Sequence, residues 1–244
     1  MKDLFSGHAK DYATYRPGYP EELYAFIFSQ CPGLNRVWDC GTGNGQAAIK
    51  LAKTFREVEA TDISRQQLSN AVAAENIHYH VNQAEETSFE DKSFDLITVA
   101  QALHWFDFSG FFREVSRVCK KDGLLACWGY ELLNIDEETD AVIHRFYASL
   151  EPYWQPERKH IESCYASIPF PYEMNTRHFT QKEDWNLSGL CNYLNTWSAV
   201  KKAAKETGRE LVEEVRKELS ATWPEDEIRG VTFPVFLLYG HPNS

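Results

Sequence analysis

Three observations predict an α/β fold with a mostly parallel central sheet flanked by helices. Strand-like and helix-like segments alternate through the first 130 residues. Such alternation builds βαβ units that place helices on both sheet faces. The first strand runs into Asp39-Cys40-Gly41-Thr42-Gly43-Asn44-Gly45, with glycine at every second position of the loop. Glycines between strand and helix let the backbone turn sharply and approach a ligand at a helix N-terminus. Finally, Asp62 closes the second strand 21 residues beyond Gly41. An acid at that distance suits a ribose diol, the alternative being a helix-cap acid.

Pro20-Glu21-Glu22 ahead of Leu23, Phe26 and Ile27 marks the start of an amphipathic helix. Val37–Cys40 is the first strand, and Gln46–Thr54 is a helix with Ala48, Leu51 and Ala52 inward. Val58–Asp62 is the second strand, and Ser64 caps a helix over Gln66–Ala73. Ile77–Asn82 alternates as a third strand. Phe94–Ala100 is a nearly continuous apolar run, the mark of a strand buried on both faces. Gly110–Cys119 spaces Phe111, Phe112, Val115 and Val118 along one helix face, and the turn Lys121-Asp122-Gly123 leads into a fifth strand, Leu124–Gly129.

After about Tyr130 the alternation gives way to a helix over Glu138–Leu150, a strand within Phe170–Gln181 and an amphipathic helix marked by Leu211, Val212, Val215 and Leu219. A last strand covers Thr232–Tyr239, where Pro234 predicts an edge position or a local irregularity. These segments make seven strands in one domain. It divides into an N-terminal lid and first helix (1–34), a ligand-binding core (35–130), a helical cap with sheet completion (131–231) and the final strand (232–240).

The balance of 25 Lys+Arg against 36 Asp+Glu gives a net charge of −11, which disfavours a nucleic-acid partner. No stretch reaches the roughly 20 apolar residues of a membrane span, and the N-terminus has no signal-peptide core. Six cysteines without CxxC pairing read as free thiols in a reducing cytoplasm. Composition does not set the oligomeric state.

The glycine spacing counts against one rival, a dinucleotide-binding NAD(P) oxidoreductase. A dinucleotide fingerprint G-x-G-x-x-G needs its third glycine at position 46, which is Gln46. The pattern D-x-G-x-G-x-G resembles motif I of class I S-adenosylmethionine (SAM) dependent methyltransferases. With YRPGYP, ALHWFDF, KKDGLLACWGY, Glu151-Pro152-Tyr153-Trp154 and Thr196-Trp197-Ser198-Ala199, the chain resembles the type-11 group, and within it the trans-aconitate methyltransferase relatives. The resemblance runs from about residue 5 to 199 and extends to the final strand.

It implies a Rossmann-like seven-stranded fold that transfers methyl from SAM to a small acceptor such as a carboxylate. S-adenosyl-L-homocysteine is the product, and no metal is implied. Asp39 would lie near the methionine ammonium, or serve only as a turn-forming acid. Gly41, Thr42, Gly43 and Gly45 would cradle the cofactor, with Asp62 and Ile63 at the ribose, Ala84 and Glu85 at the adenine, and Gln101 after the fourth strand. The loop holding His104 and Trp105 would wall the acceptor and sulfonium pocket, or merely plug the following helix. His104 is the first candidate for a general base, of use with a phenol or amine but not needed for a carboxylate. Tyr12, Tyr15, Arg16 and Tyr19 would form a lid or a packing arm, with Tyr153 and Trp197 in the cap. Arg16 and a cap arginine such as Arg177 would receive an acidic acceptor. A non-catalytic SAM-binding module on the same fold is the alternative.

Overall fold

The computed structural model describes residues 15–243. Its strands are β1 (Arg36–Cys40), β2 (Glu57–Asp62), β3 (Ile77–Val81), β4 (Phe94–Ala100), β5 (Cys119–Tyr130), β6 (Asn175–Trp185) and β7 (Arg229–Gly240). They form one sheet in the order β3-β2-β1-β4-β5-β7-β6. The pairs from β3 through β5 are parallel, and β7 is antiparallel to both β5 and β6. After β3 the chain returns across the sheet to add β4 on the other side of β1, so the topological switch lies between β1 and β4. In open α/β sheets the ligand crevice forms at the carboxyl ends of strands at such a switch.

Adjacent residues of the central strands feed two separate apolar clusters, one on each sheet face. Val37, Leu96 and Leu124 join one cluster, and Trp38, Ile97 and Leu125 join the other. The first face is covered by α1 (Glu21–Gln30) and by helices of the second half: α5 (Glu137–Ser149), α7 (Leu187–Asn195), α8 (Ser198–Thr207) and α9 (Leu211–Leu219). The second face is covered by α4 (Phe108–Val118), through Phe111, Phe112, Val115 and Val118, and by Ile161 and Tyr165 around the short α6 (Lys159–Glu162). Double coverage explains why β4 is apolar along most of its length, Asp95 and Thr98 apart.

Several boundaries differ from the sequence reading for local reasons. The helix expected over 66–73 contracts to α3 (Arg65–Leu68), capped by Ser64, whose Oγ accepts the Gln67 N–H. Just past it, Ser69 and Asn70 donate their side chains to the Gln66 carbonyl, which competes with continued helix bonding. The helix over 46–54 is named only as α2 (Ala48–Leu51), but i→i−4 bonds from Ile49 to Gly45 and from Phe55 to Leu51 extend its path. α4 starts two residues early because the Asp107 carboxylate accepts the Gly110 N–H at 3.0 Å.

The expected turn at 121–123 lies inside β5 as an irregularity. The register jumps from Phe94↔Cys119 to Leu96↔Leu124. β6 runs to Trp185, beyond the expected segment, and its polar sequence suits a sheet edge. Pro234 is an irregularity inside the sheet. Its carbonyl accepts from Glu131 N–H just beyond the last β5 pair, Tyr130↔Val235. Carbonyl and nitrogen of a strand residue face the same way, so the missing N–H falls where β5 leaves the ladder. All six cysteines are free. Among the described residues no helix is long and apolar enough to cross a membrane.

Candidate active site

The three loop glycines after β1 all occupy the left-handed region, with φ of +69° at Gly41, +57° at Gly43 and +82° at Gly45. Any other residue would be strained there. Close packing adds a second constraint at two of them. A Cβ on Gly41 would lie 2.7 Å from the Ala102 Cβ, and one on Gly45 would lie 2.3 Å from the Tyr79 hydroxyl. A Cβ on Gly43 would meet nothing within 4 Å, so the crown of the loop faces open space.

The loop is held to the strand ends by its own backbone. Thr42 N–H donates to the Thr61 carbonyl (2.9 Å), and Gly43 N–H donates to Asp62 Oδ2 (2.9 Å). Asp62 Oδ1 accepts the Ser64 N–H (2.8 Å), so the half-buried carboxylate is fixed at the tip of β2. Ile63 follows it, also half-buried. Asp39 is fully buried beneath the loop. Its Oδ2 accepts from the Thr42 hydroxyl (2.5 Å) and its Oδ1 from the Thr98 hydroxyl (2.7 Å). Burial pushes its carboxyl up to about 6, against the pull of the two hydroxyl hydrogen bonds. Both oxygens are engaged from within, so Asp39 ties β1, β4 and the loop together.

The neighbouring loops complete the crevice. Ala84 is buried, and Glu85 Oε1 accepts the Asp107 N–H (2.9 Å), which joins the segment after β3 to the start of α4. Gln101, directly after β4, lies at φ +56° without being glycine. Its N–H donates to the Trp128 carbonyl (2.8 Å), and its Oε1 accepts the Tyr130 N–H (3.0 Å). Backbone strain of roughly 1–3 kcal/mol is tolerated where surrounding bonds fix it, commonly at functional sites.

Beyond Gln101 lies a cavity whose wall includes Arg16, His104, Trp105, Tyr130, Glu131, Trp154, Arg158, Tyr193 and Trp197. Arg16 donates to the Tyr130 hydroxyl, and its guanidinium lies 5.5 Å from the Tyr193 ring centre. Arg158 packs 4.2 Å over the Trp154 ring and donates from Nε to the Tyr147 hydroxyl (2.6 Å). Its Nη1 and Nη2 have no hydrogen-bond partner among the described residues. Trp197 is buried between Phe146, Tyr147, Trp154 and Tyr193. His104 is 8% exposed. Burial, reinforced by Arg158 and His160, pulls its imidazole down to about 3. It is therefore neutral across the physiological range and a poor general base.

Of the expected acceptor-side residues, Arg16, His104, Trp105 and Trp197 share this cavity with Gln101. Tyr19 stands behind it, edge-on to Trp128 at 5.7 Å and beside Tyr130 at 6.2 Å. Tyr15 is half-buried, and Tyr12 lies outside the described residues. Tyr153 does not line the cavity; it faces a separate cleft with Val142, Arg145 and Phe146. Arg177 is likewise elsewhere, on edge strand β6 and 4.1 Å over the Phe26 ring of α1. The second cavity arginine is Arg158, which the sequence reading missed along with Tyr130, Glu131 and Tyr193. Its signal was the position four residues after Trp154, where extended Trp154 and Gln155 and the 3₁₀ turn Pro156–Arg158 bring the cation back over the indole.

Known proteins resemble this chain in sequence and fold. A family model described as a methyltransferase domain matches residues 38–127. A Dictyostelium discoideum protein assigned by name to the methyltransferases is 34% identical over 97% of this chain and 94% of its own length. A solved structure from Anaeromyxobacter dehalogenans, assigned as a type II methyltransferase, is also 34% identical, with a TM-score of 0.88, over 94% of this chain and 99% of that one. The fold alone is shared with Haemonchus contortus phosphoethanolamine N-methyltransferase 2, solved with phosphomonomethylethanolamine and S-adenosylhomocysteine. It is 19% identical, with a TM-score of 0.51, over 94% of this chain and 57% of that one.

Proposed function

Because the chain belongs to the SAM-dependent methyltransferases, we propose that it methylates a small carboxylate held in the Arg16–Arg158 cavity, leaving S-adenosylhomocysteine. One observation carries the acceptor class: a second guanidinium in the cavity that Arg16 also lines, fixed over Trp154 by the Tyr147 hydroxyl with both terminal nitrogens open. A planar guanidinium fork with its geometry set in advance matches a carboxylate. Two such groups in one cavity also suit an acid with more than one carboxylate, as in the trans-aconitate-like reading.

The residues at the strand ends fit the cofactor. The open crown at Gly43 admits a ligand close to the backbone, with Gly41, Thr42 and Gly45 forming the cradle. Asp62 and Ile63 would meet the ribose, and Ala84 and Glu85 the adenine. Gln101 would stand between the cofactor and acceptor sides, and Asp39 would hold the cradle from beneath. Bound SAM supplies an electrophilic methyl group on a sulfonium centre. The chain's contribution is to fix donor and acceptor in line, which supplies on the order of 7–11 kcal/mol. A carboxylate is already a nucleophile at neutral pH, so the weak basicity of His104 is no handicap.

Residues 15–20 and the helices between 131 and 231 would roof the cavity as lid and cap. Free cysteines, four of them buried, fit a cytoplasmic setting. Glu131 in the cavity wall favours one second reading, an amine acceptor. Transfer of labelled methyl from SAM across a panel of small acids, phenols and amines decides between them. Turnover confined to acids is expected; turnover of amines alone would overturn the carboxylate assignment.

A further inference from the structure

We propose that Tyr165 fixes His104 as a neutral hydrogen-bond donor, its Nε2–H turned to the cavity, so that the imidazole orients an acceptor oxygen and removes no proton. His104 would then touch the acceptor, and Tyr165 is its positioning residue. The acceptor's identity rests on the carboxylate reading above; the state of the imidazole does not.

The geometry begins at a strained corner. After α6, Cys164 and Tyr165 stand consecutively at φ +49° and +62°, both non-glycine residues in the left-handed region. The corner drives the Tyr165 ring into the core, where it is fully buried and edge-on to Phe236 at 5.1 Å. Its hydroxyl reaches the short 3₁₀ turn Leu103–Trp105, where the backbone N–H groups of Leu103 and His104 act electrostatically on its oxygen. Those are first-turn donors with no partner within the turn.

A buried phenol hydrogen needs an acceptor, and His104 Nδ1 is the one hydrogen-bond partner the hydroxyl has among the described residues, so the hydroxyl donates to it. His104 Nδ1 lies 3.4 Å away. A neutral imidazole carries one N–H, so an accepting Nδ1 puts the proton on Nε2. His104 lines the cavity while Nδ1 faces Tyr165, which leaves Nε2 on the cavity side. The charged and titratable neighbours are Arg158 and His160, which both oppose protonation, and Glu131 across the cavity. Cys164 Sγ donates to Glu131, so the strained corner also engages that acid.

Nitrogen-15 NMR of the full chain labelled at histidine tests the state directly, with the His104 signal identified by its loss in His104→Gln. A pyridine-like Nδ1 and a pyrrole-like Nε2, unchanged from about pH 5.5 to 8, are expected. A protonated Nδ1, or a titration inside that range, would overturn the proposal. Tyr165→Phe keeps the ring and should release the tautomer to a mixture; an unchanged pattern would remove Tyr165 from its role. If that variant does not fold, the wild-type spectrum still decides.

In methyl transfer to an acid, His104→Gln places an amide donor near Nε2 and should lose about threefold in kcat/KM, against about tenfold or more for His104→Leu. Equal losses would overturn the donor role. A panel in which no acid turns over, with the expected spectrum, would overturn the acceptor reading and leave the tautomer assignment standing.

Discussion

The two halves of the proposed site are held by different means. On the cofactor side, the loop is fixed chiefly by main chain and by residues near in sequence: three left-handed glycines, Thr42 to Asp39, and Gly43 N–H to Asp62, with Thr98 reaching Asp39 from β4 across 59 residues. On the acceptor side, Arg16 meets Tyr130 across 114 residues and His104 meets Tyr165 across 61. The first half is fixed by backbone geometry, which few residue types satisfy. The second is fixed by side chains packed from remote segments, which many sequences could supply. A loop of the first kind tolerates little change, whereas a wall of the second kind can be rebuilt for a new acceptor.

The contrast breaks most sharply at Gly41. Gly41→Ala adds a left-handed penalty to a Cβ 2.7 Å from Ala102. Together these cost about 3 kcal/mol, and SAM affinity by calorimetry should fall on the order of 100-fold or the melting temperature should drop accordingly. A variant that binds and melts as wild type would mean that backbone geometry does not govern this half.

Asp39 gives the pH signature of the same half. Its folded value, about 6, stands above the unfolded 3.8, so the protonated form is favoured in the fold. Its stabilising contribution is complete below about pH 4 and is lost as pH rises through about 6. Asp39→Asn should flatten that part of the stability curve by on the order of 3 kcal/mol in denaturant titrations. An unchanged slope would assign it to other groups.

Asp62→Ala removes the side-chain anchor of the loop crown, and SAM binding should weaken by roughly tenfold or more. Unchanged affinity would reduce Asp62 to a helix-cap acid. The acceptor side should respond separately: Arg158→Gln is expected to raise KM for a carboxylate about tenfold and leave SAM affinity as it is. Loss of both together would show that the halves are coupled.

Much of this division was already visible in the chain. The strand–glycine loop–helix unit, the Asp62 spacing and the buried run Phe94–Ala100 are local patterns, and each lies where its pattern predicts. Short-range geometry makes them legible. Tyr153 and Arg177 show the opposite case. Both belong to an aromatic or basic pattern, but one faces another cleft and the other packs on Phe26. Which face a side chain meets after Tyr130 depends on how the helices settle on the sheet, and no period in the sequence records it. Arg158 and Tyr165 were hidden for the same reason.

The sequence alone therefore determined the fold class and the geometry of the glycine loop, because φ restriction and strand periodicity act over a few residues. The tertiary structure decided which cations share the cavity, the burial that keeps His104 neutral, and the strained corner that presents Tyr165 to it. Those depend on desolvation and on contacts between segments far apart in the chain, which exist only once the helices have packed.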